Sequence, residues 1–210
     1  VGDPTRSAPQ TGRRAGLRTR APLRGVGVAY VLVITIATVS VAVATLFGPI
    51  SVAVTALVLL ALVLARLVGT PIGLVSVSGA VLLGAAWASV FDLYARIDWL
   101  DVVVHAVATG SLAAMCTGAL LRAGIVTVGV GPRKPALVCV ATALAVGLAL
   151  GVLWELGEWF GHTYLDDRIA VGYDDTIGDL VAGGFGAAIA GALLSRGHRS
   201  APTSTLRSRG

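Results

Sequence analysis

The chain has 210 residues, 56% of them hydrophobic and 13% charged, and its 16 basic and 11 acidic side chains leave a net charge of +5; mean hydropathy is +0.86. Soluble domains carry about 25% charged residues, so this composition excludes an ordinary water-soluble enzyme or binding module. Apolar residues come in runs of about 20, the length an α-helix needs to cross a hydrocarbon core of roughly 30 Å. The expected fold is therefore all-α, a polytopic membrane bundle of about six transmembrane helices.

Residues 1–25 open the chain with six arginines, Arg6, Arg13, Arg14, Arg18, Arg20 and Arg24, among Ser, Thr, Pro and Gly, a composition that predicts a disordered tail. Beside a span such a tail acts as topogenic charge and attracts anionic lipid. No recognition motif accompanies it, so nucleic acid is not an expected partner. The bundle is expected over 26–195, with spans at Val26–Phe47, Ile50–Val68, Ile72–Phe91, Leu100–Leu121, Ala136–Phe160 and Thr176–Leu194. Gly48-Pro49, Gly69-Thr70-Pro71 and the stretch from Gly129 to Pro135 supply turns. The basic start and the small residues Ala42, Val43 and Ala44 also fit a cleaved signal peptide, but the run continues to Phe47 and turns at once into another span, which favours a retained helix. Residues 196–210 form a second basic tail with Arg196, Arg199, Arg207 and Arg209. Cys116 and Cys139 lie inside apolar runs without C-x-x-C spacing and read as small buried hydrophobes.

In a six-span topology both tails, Arg66, Arg122, Arg133 and Lys134 fall on one side of the membrane. Asp92, Asp98, Asp166, Asp167 and Asp174 fall on the other, with only Arg96 and Arg168 for company. The positive-inside rule makes the basic side cytoplasmic, with both termini inside, as in a multi-pass protein of the cytoplasmic (plasma) membrane, the inner membrane of the cell. Phe91, Tyr94, Trp99, Trp159, Phe160, Tyr164 and Tyr173 then form an outer aromatic belt.

Ionisable residues inside a span are costly and mark functional sites. The fourth span opens with Asp101 and His105, whose i,i+4 spacing puts both on one helix face. The fifth carries Glu155 and Glu158 at i,i+3, with His162 one turn further on, and the sixth begins with Asp175 and Asp179 at i,i+4. The fourth and sixth spans run inward and the fifth outward, so all three pairs fall at one end of the bundle. Asp101, Glu158 and Asp175 are expected in an outer layer, and His105, Glu155 and Asp179 about one turn, ~5 to 6 Å, deeper. Five carboxylates with one imidazole cannot all stay ionised in a low-dielectric bundle unless protons or cations are supplied. For a metal centre the expected ligands are Asp101, His105, Glu155 and Asp179, with Glu158 or Asp175 as general base or further ligand. That donor set suits a divalent metal: Mg²⁺, Mn²⁺, Fe²⁺ or Zn²⁺. Shared protons, as in a relay, and a structural polar network are the alternatives. Asp98, Asp174 and His162 read as helix-end residues reaching the interface. The series Gly110, Ala114, Gly118, then Gly147, Gly151, then Gly183, Ala187, Gly191 predicts close packing of these helices. The first two spans read as a shield between the site and lipid.

Three segments, Asp98-Trp99-Leu100-Asp101-Val102-Val103-Val104-His105, Gly151-Val152-Leu153-Trp154-Glu155-Leu156-Gly157-Glu158-Trp159 and Asp174-Asp175-Thr176-Ile177-Gly178-Asp179-Leu180, together resemble the YjdF-like family of small bacterial inner-membrane proteins. The resemblance runs roughly from Phe91 to Leu194. It implies a fold and a location but no activity.

Three functions fit these residues. One is a membrane-embedded metal-dependent enzyme, such as a hydrolase acting on a lipid or envelope substrate. Another is a cation- or proton-coupled transporter, although the inner half offers mainly Thr109, Ser111, Thr117 and Thr142 as polar groups and no inverted repeat is evident. The third is a non-catalytic assembly or sensor protein whose cluster only locks helices together. No nucleophilic triad or nucleotide motif is found, and Gly183-Gly184-Phe185-Gly186 reads as helix packing and not as a phosphate loop.

Overall fold

The structure, a computed structural model, describes residues 21–128, 134–169 and 171–199. Its elements are α1 (Ala21–Ala44), α2 (Pro49–Leu67), α3 (Ile72–Val90), α4 (Leu100–Arg122), α5 (Lys134–Tyr164) and α6 (Tyr173–Arg199). Each of the six is long and apolar enough to cross a membrane, and no strand occurs among the described residues. Helix α1 starts at Ala21, inside the segment 1–25, and α6 continues through 196–199. Helix α5, with 31 residues, also outruns its expected span and is roughly 46 Å long at 1.5 Å per residue. Polar and charged residues continue these helices beyond the hydrocarbon, where hydropathy no longer marks them. Residues 1–20, Arg133 with the rest of 129–133, and the C-terminal tail from 200 lie outside the described residues.

Helices α2, α3 and α4 end in the same way. Gly69 (φ 81°), Asp92 (φ 56°) and Gly124 (φ 70°) adopt left-handed backbone. The next N–H then reaches back to a carbonyl five residues earlier: Thr70 to Ala65 at 2.9 Å, Leu93 to Ala88 at 2.9 Å and Ile125 to Leu120 at 3.1 Å. This Schellman geometry satisfies carbonyls that a helix end leaves open, and two of the three positions carry glycine, which adopts it without a Cβ penalty. At Asp92 the turn sends the chain back over the end of α3, which matters for the site below.

The helices form two trios. Helices α1, α2 and α3 pack on one another, α4, α5 and α6 do likewise, and α3 lies against α4 to join them. The first trio is held mainly by the branched side chains Val33, Val58, Leu62, Val75, Leu82 and Leu83, with Ala37, Ala86 and Met115 of α4 in the same cluster. The Trp87 indole donates to Ser40 Oγ at 2.9 Å, tying α3 to α1 beside the stacked rings of Trp87 and Phe91. The expected shielding role of the first two spans is corrected here. Among the described residues α1 and α2 pack around α3, α2 also meets α4, and neither touches α5 or α6.

The second trio packs backbone on backbone. A Cβ on Gly186 would collide with the Ala106 carbonyl, and one on Gly110 would sit 2.8 Å from the Gly186 oxygen. Gly147 brings α5 onto Ala187, where an added Cβ would meet the alanine methyl at 2.5 Å, and Gly191 lies against the Cys139 carbonyl. These contacts satisfy the expected close packing, except at Gly118, which faces no neighbour within 4 Å; the α4 stripe ends at the buried Ala114.

Candidate metal centre

Asp101 stands in the first turn of α4, His105 one turn further in, and Asp179 on the facing side of α6. The reason they meet lies just beneath them. At Ala106 opposite Gly186, and at Thr109 opposite Gly183, no α6 side chain separates the two backbones, so one turn nearer the surface His105 and Asp179 share one space. His105 Nε2 is 3.5 Å from Asp101 Oδ1 and 3.6 Å from Asp179 Oδ2. The three residues offer ligand atoms that all lie within 4.8 Å of one another. Their side chains are 31%, 13% and 5% exposed for Asp101, His105 and Asp179, so the group opens at Asp101 and closes at Asp179.

Both imidazole–carboxylate separations exceed the ~2.9 to 3.0 Å usual for an N–H···O hydrogen bond. Two ligand atoms each about 2.1 Å from a shared tetrahedral ion would instead stand about 3.4 Å apart. The two imidazole–carboxylate separations are close to that spacing, and the donor set, two carboxylates and one imidazole, suits a divalent cation on its chemistry.

The glutamates of α5 stand beside this group. Glu155 is half-buried, and its Oε1 is shielded and has no hydrogen-bond partner among the described residues. It lies within electrostatic reach of Asp179 and of Glu158. Glu158 in turn lies within electrostatic reach of Asp101 and Asp179. Of the four residues expected as ligands, Asp101, His105 and Asp179 stand in one compact group and Glu155 stands outside it. Near the site α5 and α6 pack with Leu148 against Gly184 and Leu180 against Gly151. Asp175 is exposed in the first turn of α6, within electrostatic reach of Asp101 and Asp179. The two expected layers are thus mixed: Asp101 joins the deeper pair, and Glu158 and Asp175 flank it.

Tyr94, expected in the aromatic belt, belongs also to the site's surroundings. Its hydroxyl donates to the Ala85 carbonyl at 2.9 Å. Burial, with the charges of Asp101 and Glu158 nearby, pushes the phenol's pKa up to about 12. Nothing in the local spacing marks it, since the left-handed turn at Asp92 is what folds the α3–α4 loop inward. The α5–α6 loop is pinned by His162 Nδ1 against the Ile169 carbonyl at 2.7 Å. It is also held by Arg168, which grips Asp166 at 2.9 and 2.7 Å and holds that carboxyl down at about 2. A hollow of 490 Å³ lined by residues 162–168 opens at this loop and includes none of the compact group.

A helical bundle with six helices long and apolar enough to cross a membrane, its acidic residues gathered at one end, defines an integral, multi-pass membrane protein. The chain belongs to the family described as "Predicted membrane protein (DUF2238)", whose model matches residues 22–200, in agreement with the resemblance to the YjdF-like family. No curated protein and no solved structure matches the chain.

Proposed function

We propose that Asp101, His105 and Asp179 hold a divalent cation, and that the protein is a membrane-embedded metal-dependent hydrolase acting on a lipid or envelope substrate at the outer face of the cytoplasmic membrane. The observation that carries this reading is the placement of His105 Nε2 at 3.5 and 3.6 Å from two carboxylates, too far for hydrogen bonds and suited to ligands sharing an ion. A divalent ion there supplies Lewis acidity. Glu158, half-buried beside Asp101 and Asp179, serves as the general base that takes a proton from the attacking water. The shielded Glu155 Oε1 requires a cation, a proton or a donor, which makes Glu155 the reserve ligand on the α5 side. Substrate approaches from the Asp101 edge. Trp99 just before α4, Trp154 on α5 and Ile177 on α6 are exposed, an apolar setting that favours a lipid-like substrate over a small hydrophilic one.

Elemental analysis of detergent-purified protein tests this. Near-stoichiometric metal is expected in the wild type, with loss in monodisperse His105→Ala and Asp179→Asn and retention in Glu158→Gln. Wild-type protein that carries no metal and takes up neither Mn²⁺ nor Zn²⁺ when they are offered would overturn it.

A further inference from the structure

At the opposite, basic end of the bundle two arginines from different helices grip a single turn. Arg66, half-buried in the last turn of α2, donates from Nη1 to the Thr70 carbonyl at 2.6 Å and lies over the Tyr30 ring, 5.6 Å from its centroid. Arg122, exposed in the last turn of α4, donates from Nη1 to the carbonyl of Gly69. Gly69 and Thr70 are consecutive, and Thr70 is fully buried, so the turn is a fixed platform that holds the two guanidinium groups near each other.

Two ordinary roles are met by this arrangement. Each arginine complements the negative end of its own helix, and each satisfies a turn carbonyl. Neither role uses up the group, because a guanidinium has five N–H donors. Nor is the charge balanced. Ten of the eleven acidic residues fall between Asp92 and Asp179, in the segments that form the acidic end, and the eleventh, Asp3, lies outside the described residues. Among the described residues neither Arg66 nor Arg122 has a carboxylate at ion-pair distance. Like charges held near each other repel, more strongly where solvent is partly excluded, so the pair favours an anion that bridges it. The pair stands at the ends of membrane-crossing helices, the depth of lipid headgroups, and exposed Leu67, Val68 and Ile125 flank it.

We propose that Arg66 and Arg122 form a binding site for the phosphate of an anionic phospholipid, whose acyl chains run along the apolar faces beside Leu67 and Val68. Planar guanidinium groups match phosphate oxygens through paired N–H donors, and the flanking apolar surface selects a lipid over a free phosphate ion. This site does not depend on the cation centre at the other end.

Native mass spectrometry of the detergent-solubilised protein with phosphatidylglycerol or phosphatidylcholine provides the test, using wild type, Arg66→Gln/Arg122→Gln, and a control, Arg13→Gln/Arg14→Gln, that removes equal charge from the N-terminal tail. Wild type and control are expected to retain phosphatidylglycerol in preference to phosphatidylcholine. The Arg66→Gln/Arg122→Gln variant is expected to bind it about 25-fold more weakly, roughly fivefold per arginine. If that variant fails to fold, Arg66→Lys/Arg122→Lys keeps the charge but not the paired donors and is expected to bind several-fold more weakly than wild type. The proposal is overturned if the variants keep the wild-type preference, if the tail control loses it equally, or if millimolar inorganic phosphate displaces the lipid.

Discussion

The two trios of this bundle solve the same packing problem with different materials. In the first, Val33, Val58, Leu62, Val75 and Leu82 fill the space between α1, α2 and α3 with branched side chains, and the helices stand apart by the width of those chains. In the second, the buried apolar cluster is reduced to Ala113, Ala143 and Ala187, and α4 and α6 touch through Gly110, Gly183 and Gly186. Side-chain packing tolerates repacking with small losses, whereas a backbone contact has no rotamers to adjust. The polar group lies on the trio with backbone contacts, which teaches that its geometry is set by how closely two helices approach and not by the residues of the group alone.

The strongest way to break this contrast is Gly186→Leu. A side chain aimed at the Ala106 carbonyl cannot be absorbed by rotamer changes, so a loss beyond the ~1 to 3 kcal/mol of ordinary overpacking is expected. Gly84→Leu on α3, where nothing lies within 4 Å, is expected to be tolerated. Thermal unfolding in detergent measures both, and equal melting temperatures would refute the distinction. Next in size is Leu62→Ala, at a fully buried position of the first trio, expected to cost about 2 to 5 kcal/mol. Its metal content should match wild type, because the second trio holds the site without α1 or α2; metal lost from folded Leu62→Ala protein would show that the trios are coupled.

The smallest effect is expected from Tyr94→Phe, which removes one hydrogen bond to the Ala85 carbonyl at a cost of about 1 kcal/mol. Its pH dependence has a definite sign. The folded-state pKa is raised from 10.0 to about 12, so the protonated phenol contributes stability that is complete below pH 10 and is lost as pH rises through 12. The gap between wild type and Tyr94→Phe should therefore stay constant to about pH 10 and narrow above it. A gap that widens there would place the phenol in a different environment.

Much of the bundle was legible in the sequence because its signals are local. Runs of about 20 apolar residues mark spans whatever their neighbours do. The alternation of six spans was enough to send Asp101, His105, Glu155, Glu158, Asp175 and Asp179 to one end. The shielding role expected of the first two spans failed because hydropathy says that a helix faces lipid but not which helices it accompanies. Gly118 misled for a related reason, since small-residue spacing identifies a face that permits contact, not one that receives it.

By itself, then, the sequence determined the helical class, the six membrane-crossing segments and the gathering of acidic residues with one imidazole at a common end. These follow from hydropathy, helical period and chain direction, all of which are properties of single segments. Only the tertiary structure decided that Asp101, His105 and Asp179 close into one group while Glu155 and Glu158 stand beside it, and that Tyr94 turns in toward them. Those outcomes depend on distances between helices. Such distances are fixed where Gly186 meets Ala106 and where Leu148 and Leu180 pack against Gly184 and Gly151, and steric contact between segments remote in the chain leaves no periodic trace in any one of them.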